Sequence, residues 1–162
     1  MPRLRRKSSG NWSVLLIIGS FAVGLIALLH VASGTRFTKV TGDSVIAIHT
    51  QDLKPGSVEF YSYRDRAGTE LRFLLARDSG GVLHAAMDAC QRCYTYHQGY
   101  LTADGYLVCK FCGNRYKLAE MSHGLASCVP VKLPFKADGQ TAKIDIAALR
   151  HGRYLFYGAT HQ

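Results

Sequence analysis

The chain has 162 residues, room for one domain or two at most. Its formal charge of +9 overstates its basicity, because Arg3, Arg5, Arg6 and Lys7 crowd the first seven positions and leave 16 basic against 11 acidic residues. So small a surplus gives no ground for nucleic-acid binding, and a 48% hydrophobic content without repeats or low-complexity tracts excludes a disordered chain.

Residues 1–11 form a basic N-terminus. From Trp12 to Ser33 there is no Asp, Glu, Lys or Arg, and Leu15, Leu16, Ile17, Ile18, Phe21, Val23, Leu25, Ile26, Leu28 and Leu29 dominate. About 20 helical residues at ~1.5 Å rise cover the ~30 Å hydrocarbon layer of a bilayer. A dozen Leu, Ile, Val and Phe at about −0.3 to −0.6 kcal/mol each favour insertion. The pattern predicts a single transmembrane anchor over residues 12–33 of the cytoplasmic membrane, with the basic N-terminus inside. Residues 34–162 then form a periplasmic or extracellular domain. A cleaved secretory signal is the rival reading, with Val31-Ala32-Ser33 offering small residues to a peptidase. Arg5-Arg6 followed by Lys7-Ser8-Ser9 is a poor match for a twin-arginine signal. Ser20 and Gly24, small and four apart, suit packing against another membrane helix.

Beyond the anchor the signals are those of short strands. Val45–Ile48 reads as a strand, Lys54-Pro55-Gly56 as a turn, and Ser57–Tyr63 alternates with period two. Arg64–Gly68 turns. Glu70–Arg77 alternates again and sets Leu71, Phe73 and Leu75 on one face. Asp78–Gly81 is a hairpin signal, and Val82–Asp88 returns. Tyr100–Leu101 and Tyr106–Cys109 flank a second hairpin at Ala103-Asp104-Gly105. Tyr116–Leu118 is short, and Gly124, Pro130 and Pro134 mark an irregular loop. Lys136–Gly139 turns into a strand at Thr141–Ile146, with Ile144 and Ile146 inward. Ala147–Arg150 forms a helical turn, and Tyr154–Tyr157 a final strand. The fold class is mostly β: a small antiparallel domain of about eight strands on one N-terminal transmembrane helix.

Five cysteines lie within this domain. Cys90-Gln91-Arg92-Cys93 and Cys109-Lys110-Phe111-Cys112 are two Cys-x-x-Cys hooks separated by 15 residues, and Cys128 follows after another 15. Two such hooks bring four thiolates to one tetrahedral centre, so Cys90, Cys93, Cys109 and Cys112 are the predicted metal ligands. Gly113 suits the second hook, because a positive φ closes the turn and aims backbone amides at the sulfurs. Tyr94 holds that place after the first hook, so the two hooks differ. By ligand count, zinc, a single iron and two- or four-iron clusters fit equally. A c-type haem is excluded by the lack of a histidine after either hook. An odd cysteine count argues against a pure disulfide framework.

Around the hooks, Cys128 is a candidate additional ligand, a disulfide partner or a cover over the centre. His97 is a further candidate ligand or proton donor against the plainer reading of a solvated loop residue, and His123 stands likewise. His84 is expected on the surface of its strand and Met87 in the core. Arg92, Lys110, Arg115 and Lys117 either offset the charge of the centre or are ordinary solvated cations. Tyr94, Tyr96, Tyr100, Tyr106 and Tyr116 are expected to screen the sulfurs from water.

The segments Ala86–Tyr94, Gly99-Tyr100, Leu107–Tyr116, Cys128-Val129-Pro130 and Leu133-Pro134 resemble the FtrD-like membrane iron–sulfur family. That family carries A-x-D-x-C-x-x-C-Y, G-Y, V-C-x-x-C-G-x-x-F/Y and a late C-x-P…L segment. The likeness runs from about Val45 to Phe156. This chain has Ala126-Ser127-Cys128-Val129-Pro130 where the family usually has Gly-Gly-Cys-Asn-Pro. The order of the loops is also similar, more loosely, to Rieske-type cluster domains, with Cys112 at the place of a histidine ligand. Four anionic ligands then imply a lower potential than a Rieske centre.

The resemblance implies an iron–sulfur cluster and an electron carrier rather than a catalyst, accessory to iron acquisition. Its partner would be a membrane redox protein or an iron permease. The alternatives left by the residues themselves are a zinc-stabilised adaptor without a redox role and an extracytoplasmic thiol–disulfide protein.

Overall fold

A computed structural model describes residues 35–121 and 128–157. The expected anchor at 12–33, the Ser20–Gly24 pair and His123 lie outside the described residues. Among those described, no helix is long and apolar enough to cross a membrane.

Three sheets build the domain. The largest runs in the order β1 (Phe37–Val40), β3 (Ser57–Arg64), β4 (Glu70–Arg77), β5 (Leu83–Cys90) and β9 (Pro130–Lys132). The second is β10 (Lys136–Asp138), β11 (Thr141–Asp145) and β2 (Val45–His49). The third, carrying the second cysteine hook, is β6 (Tyr100–Ala103), β7 (Tyr106–Cys109) and β8 (Arg115–Lys117). All pairings are antiparallel except β1 with β3, which sets Phe37 beside Phe60.

β4 explains how so small a domain holds two cores. Its sequence Glu70-Leu-Arg-Phe-Leu-Leu-Ala-Arg77 begins in strict alternation and then turns apolar on both faces, as a strand covered on both sides must. Leu71, Phe73 and Leu75 enter one core with Ile46, Ile144, Ile146, Leu149 and Leu155. Leu74 and Ala76 face the other way, into a core with Cys90, Cys93, Tyr100, Leu107 and Cys109. Each fully buried aliphatic side chain contributes about 1.5–3 kcal/mol. The thiols therefore sit in a core packed on the back of the central strand.

The structure corrects the sequence expectations at the C-terminal end. The strand expected at Tyr154–Tyr157 is a 3-10 helix over Gly152–Phe156. Leu155 and Phe156 are both buried, whereas Tyr154 and Tyr157 are about half exposed. Two adjacent inward residues flanked by two outward ones fit a period of three, not the alternation of a strand. Ile146 is buried as expected but opens the helix α1 (Ile146–His151) instead of closing a strand. α1 stops at Gly152, where an added Cβ would lie 2.6 Å from Met87 Cε on β5. Position 152 thus has no room for a side chain unless Met87 shifts.

Leu74→Ala and Leu75→Ala should each cost about 2–5 kcal/mol in chemical denaturation. Only Leu74→Ala, on the thiol side, should also speed loss of bound metal to a chelator. Equal metal loss from both variants would contradict the division into two cores.

Candidate metal centre

The first hook grows out of β5. Cys90 is its last residue and pairs with Pro130 at the edge of the sheet. The Gln91 N–H donates to the Val129 carbonyl at 3.0 Å, which holds the segment after Cys128 against the hook. After Cys93 the chain makes a 3-10 turn over Tyr94–Tyr96 and passes through His97 in the left-handed region at φ 54°. The two hooks do differ, as Tyr94 implied: the left-handed residue comes four places after Cys93 in one and directly after Cys112 in the other.

Asp88, two residues before the hook, fixes its return. Its carboxylate is buried and accepts from the Tyr100 N–H at 2.7 Å, with the Arg72 guanidinium 3.7 Å away. Arg72 also donates to the His97 carbonyl at 2.9 Å. Burial pushes the Asp88 carboxyl up to about 7, against the opposing pull of Arg72, the Tyr100 N–H and Lys110. The Lys110 N–H donates to the Gly99 carbonyl at 3.0 Å, and this backbone bond ties the first hook's return to the second hook. Tyr96 and Phe111 stack across the same gap with ring centroids 3.5 Å apart.

The second hook follows β7. The Gly113 N–H donates to the Cys109 carbonyl at 2.9 Å, and Gly113 takes φ 73° as its sequence place required. Burial raises the Cys109 thiol, while the N–H groups of Cys112 and Phe111 favour its thiolate. For Cys112, burial acts upward too, but the Asn114 N–H and the Cys109, Cys93 and Cys128 thiols outweigh it and hold the group below the ordinary thiol range. Burial pushes Cys93 upward, helped by the Cys90 and Cys112 thiols.

The five sulfurs converge. Those of Cys90, Cys93 and Cys128 lie within 4.8 Å of one another, as do those of Cys93, Cys109 and Cys112, so Cys93 belongs to both groups. Cys93 and Cys128 are 4.0 Å apart. All five are free thiols. A disulfide needs ~2.05 Å between sulfurs, whereas a tetrahedron with ~2.3 Å metal–sulfur bonds has edges of about 3.8 Å. Cys90, Cys93 and Cys109 are buried, Cys128 is half-buried and Cys112 is exposed. Of the four predicted ligands, Cys93, Cys109 and Cys112 stand together, and Cys90 joins them only through Cys93; either group of three could bind a metal, the second with Cys112 at the surface.

The structure brings Cys128, whose role the spacing left open, as near to Cys93 as a ligand would be. His97 belongs to neither sulfur group; its Nδ1 is buried with no hydrogen-bond partner among the described residues, in a narrow cleft it shares with Arg72, Asp88, Cys90, Cys93 and Phe111. His84 is half-buried rather than on the surface, because its Nε2 meets Asp78 Oδ2 at 2.9 Å. Met87 is buried as expected. Arg115 pairs with Asp104 at 3.0 Å and Lys117 with Glu120 at 3.5 Å, so these two cations have acidic partners of their own. Tyr100 and Tyr116 screen the thiols; Tyr96 is exposed, and Tyr94 packs on the other core. Asp88, Arg72 and Gly99 were missed as site-building residues. Their signal was an acidic residue two places before a hook, in an otherwise apolar strand.

A sequence profile described as "Membrane iron-sulfur containing protein FtrD-like" matches residues 53–156. No curated protein matches the chain. Among solved structures, a crystal structure of the quaternary ammonium Rieske monooxygenase CntA in complex with the inhibitor MMV12 is similar over 69% of this chain, at 16% identity and a TM-score of 0.41. The chain spans 32% of that protein, and a likeness this loose carries no conclusion about fold or chemistry.

Gly99 and Gly113 separate steric from conformational demands on the two hooks. Both have positive φ, which costs a non-glycine residue about 1–2 kcal/mol. A Cβ at Gly99 would also lie 2.3 Å from Asp88 Oδ2, whereas at Gly113 it would meet nothing within 4 Å. In chemical denaturation Gly113→Ala should lose only the backbone cost, and Gly99→Ala clearly more, together with metal retention. Equal losses would show that Asp88 is not held against Gly99 in solution.

Proposed function

The chain belongs to the FtrD-like family of membrane iron–sulfur proteins, and from that membership we propose that it is a single-electron carrier anchored by one N-terminal helix. The observation that carries this reading is the convergence of five free thiols from three chain segments, four buried or half-buried and one exposed. Cys90, Cys93, Cys109 and Cys112 would hold the centre. Cys128, brought in by the strand that pairs with Cys90, closes over it. When bound, an iron–sulfur cluster supplies reversible one-electron chemistry.

The chain's own groups serve that chemistry by insulation and by charge. Burial of Cys90, Cys93 and Cys109 keeps water from the sulfurs on the domain side. The amides of Phe111, Cys112 and Asn114 face sulfur and favour its anionic form. Exposed Cys112, beside the exposed stack of Tyr96 and Phe111, gives a partner its shortest approach. Among the described residues only a narrow cleft, lined by Arg72, Asp88, Cys90, Cys93, His97 and Phe111, opens beside the buried cysteines, which suits a carrier better than a catalyst.

The domain lies in the periplasm or outside the cell, and the partner is a membrane redox protein or an iron permease. The apolar run at 12–33 with basic residues before it supports this orientation. The role in iron acquisition rests on the resemblance to the FtrD-like family.

Anaerobic purification of the full chain tests the reading. The expected protein is coloured, bleaches with dithionite and contains iron and acid-labile sulfide. A colourless protein with one zinc per chain would make it a structural adaptor instead. A reporter active only after export, fused behind Gln162, should be active; activity confined to the cytoplasm would refute the orientation.

A further inference from the structure

Two buried phenols line the thiol core without a use inside the protein. Tyr100 is fully buried and Tyr116 nearly so, and their rings meet edge-on at 6.3 Å and 79°. Both pack in the same core as Cys90, Cys93 and Cys109. Among the described residues neither hydroxyl makes a hydrogen bond of full geometry; only looser approaches remain, of Cys90 to Tyr100 and of the Asn114 side chain to Tyr116. A buried hydroxyl without an acceptor costs about 1–3 kcal/mol, and native folds keep few of them.

The same core holds Cys90, Cys93 and Cys109, and the β6–β7 register sets Tyr100 directly across from Cys109. Burial, with the Cys90 and Cys109 thiols and Tyr116 beside it, pushes Tyr100 far above the ordinary phenol range. Burial pushes Tyr116 up to about 12, with Cys90, Cys128 and Cys112 acting in the same direction and the Asn114 side chain against it. An ordinary phenol, with a pKa of about 10, is already protonated at neutral pH and can donate. A neutral thiol is a poor acceptor, whereas an anionic sulfur is a good one. The hydroxyls are thus left unsatisfied by the thiols alone and matched to sulfurs that carry negative charge.

We propose that Tyr100, with Tyr116 as a weaker second, donates its hydroxyl proton in a hydrogen bond to metal-bound sulfur and thereby raises the reduction potential of the centre. Donors to sulfur stabilise the reduced, more negative state more than the oxidised one. In this role Tyr100 is a tuning residue that acts through the ligands and touches no partner. The redox consequence rests on the electron-carrier reading above; the hydrogen bond itself needs only an anionic sulfur site.

Tyr100→Phe removes one oxygen and keeps the ring, so the core packing is preserved. In the full chain purified in detergent, Tyr100→Phe should load the same metal per chain as the wild type, with a more negative midpoint potential. Tyr116→Phe should shift it the same way by less. In cobalt(II)-substituted protein, the sulfur-to-metal charge-transfer bands of Tyr100→Phe should move to lower energy, whatever the native metal. Shifted cobalt bands without a redox couple would uphold the tyrosine assignment and refute the electron-carrier reading. An unchanged potential and unchanged bands in fully loaded Tyr100→Phe would overturn the assignment. Should Tyr100→Phe fail to load, Tyr116→Phe decides: a cobalt band shift to lower energy supports the assignment of the phenols, and unchanged bands in the loaded variant overturn it.

Discussion

The gathering of thiols behind β4 is the constraint on which the rest of this domain depends. One face of β4 packs on an aliphatic core that closes without help. The other face packs on a core whose centre is cysteine, ringed by Tyr100, Tyr116, Leu107 and Leu118. A structural thiolate centre contributes ~10–16 kcal/mol near neutral pH, as much as the whole stability of an ordinary domain at ~5–15 kcal/mol. A bound centre would add that stabilisation to what the small third sheet, β6 to β8, already draws from its buried Tyr100, Leu107 and Tyr116.

The two hooks are tied together before any metal is considered. Arg72 and Asp88 hold the return of the first hook through the His97 carbonyl and the Tyr100 N–H. The Gly99 carbonyl accepts from the Lys110 N–H, and Tyr96 stacks on Phe111. A site assembled this way has its ligand positions set by backbone and packing, so that little conformational entropy remains to be lost on metal binding. The same preorganisation suits electron transfer, where a change of charge should move few atoms.

Much of this was legible in the sequence, for physical reasons. The strands at 57–64, 70–77 and 83–90 announce themselves by alternation and by turn residues, and the hooks by their spacing. β1, β9 and β10 did not, since three or four residues carry too little periodicity, and β9 begins with a proline tolerated only because it lies at a sheet edge. Tyr154–Tyr157 looked like a strand because four large apolar residues in a row fit either period. The double-sided burial of β4 was half visible, as Leu74 and Ala76 broke the alternation. The position of Cys128 was beyond reach, because a loop of 15 residues can end anywhere, and the pairing of Pro130 with Cys90 is a long-range contact. Asp88 was hidden for the opposite reason: a lone acidic residue in a strand reads as an exposed one until its partners are known.

The most direct test of the central claim is the X-ray absorption fine structure of the metal in the anaerobically purified full chain. A first shell of sulfur alone, with the count of a four-thiolate centre, is the predicted result. A first shell containing nitrogen or oxygen ligands, or a protein that folds and keeps its second core with no metal at all, would contradict it.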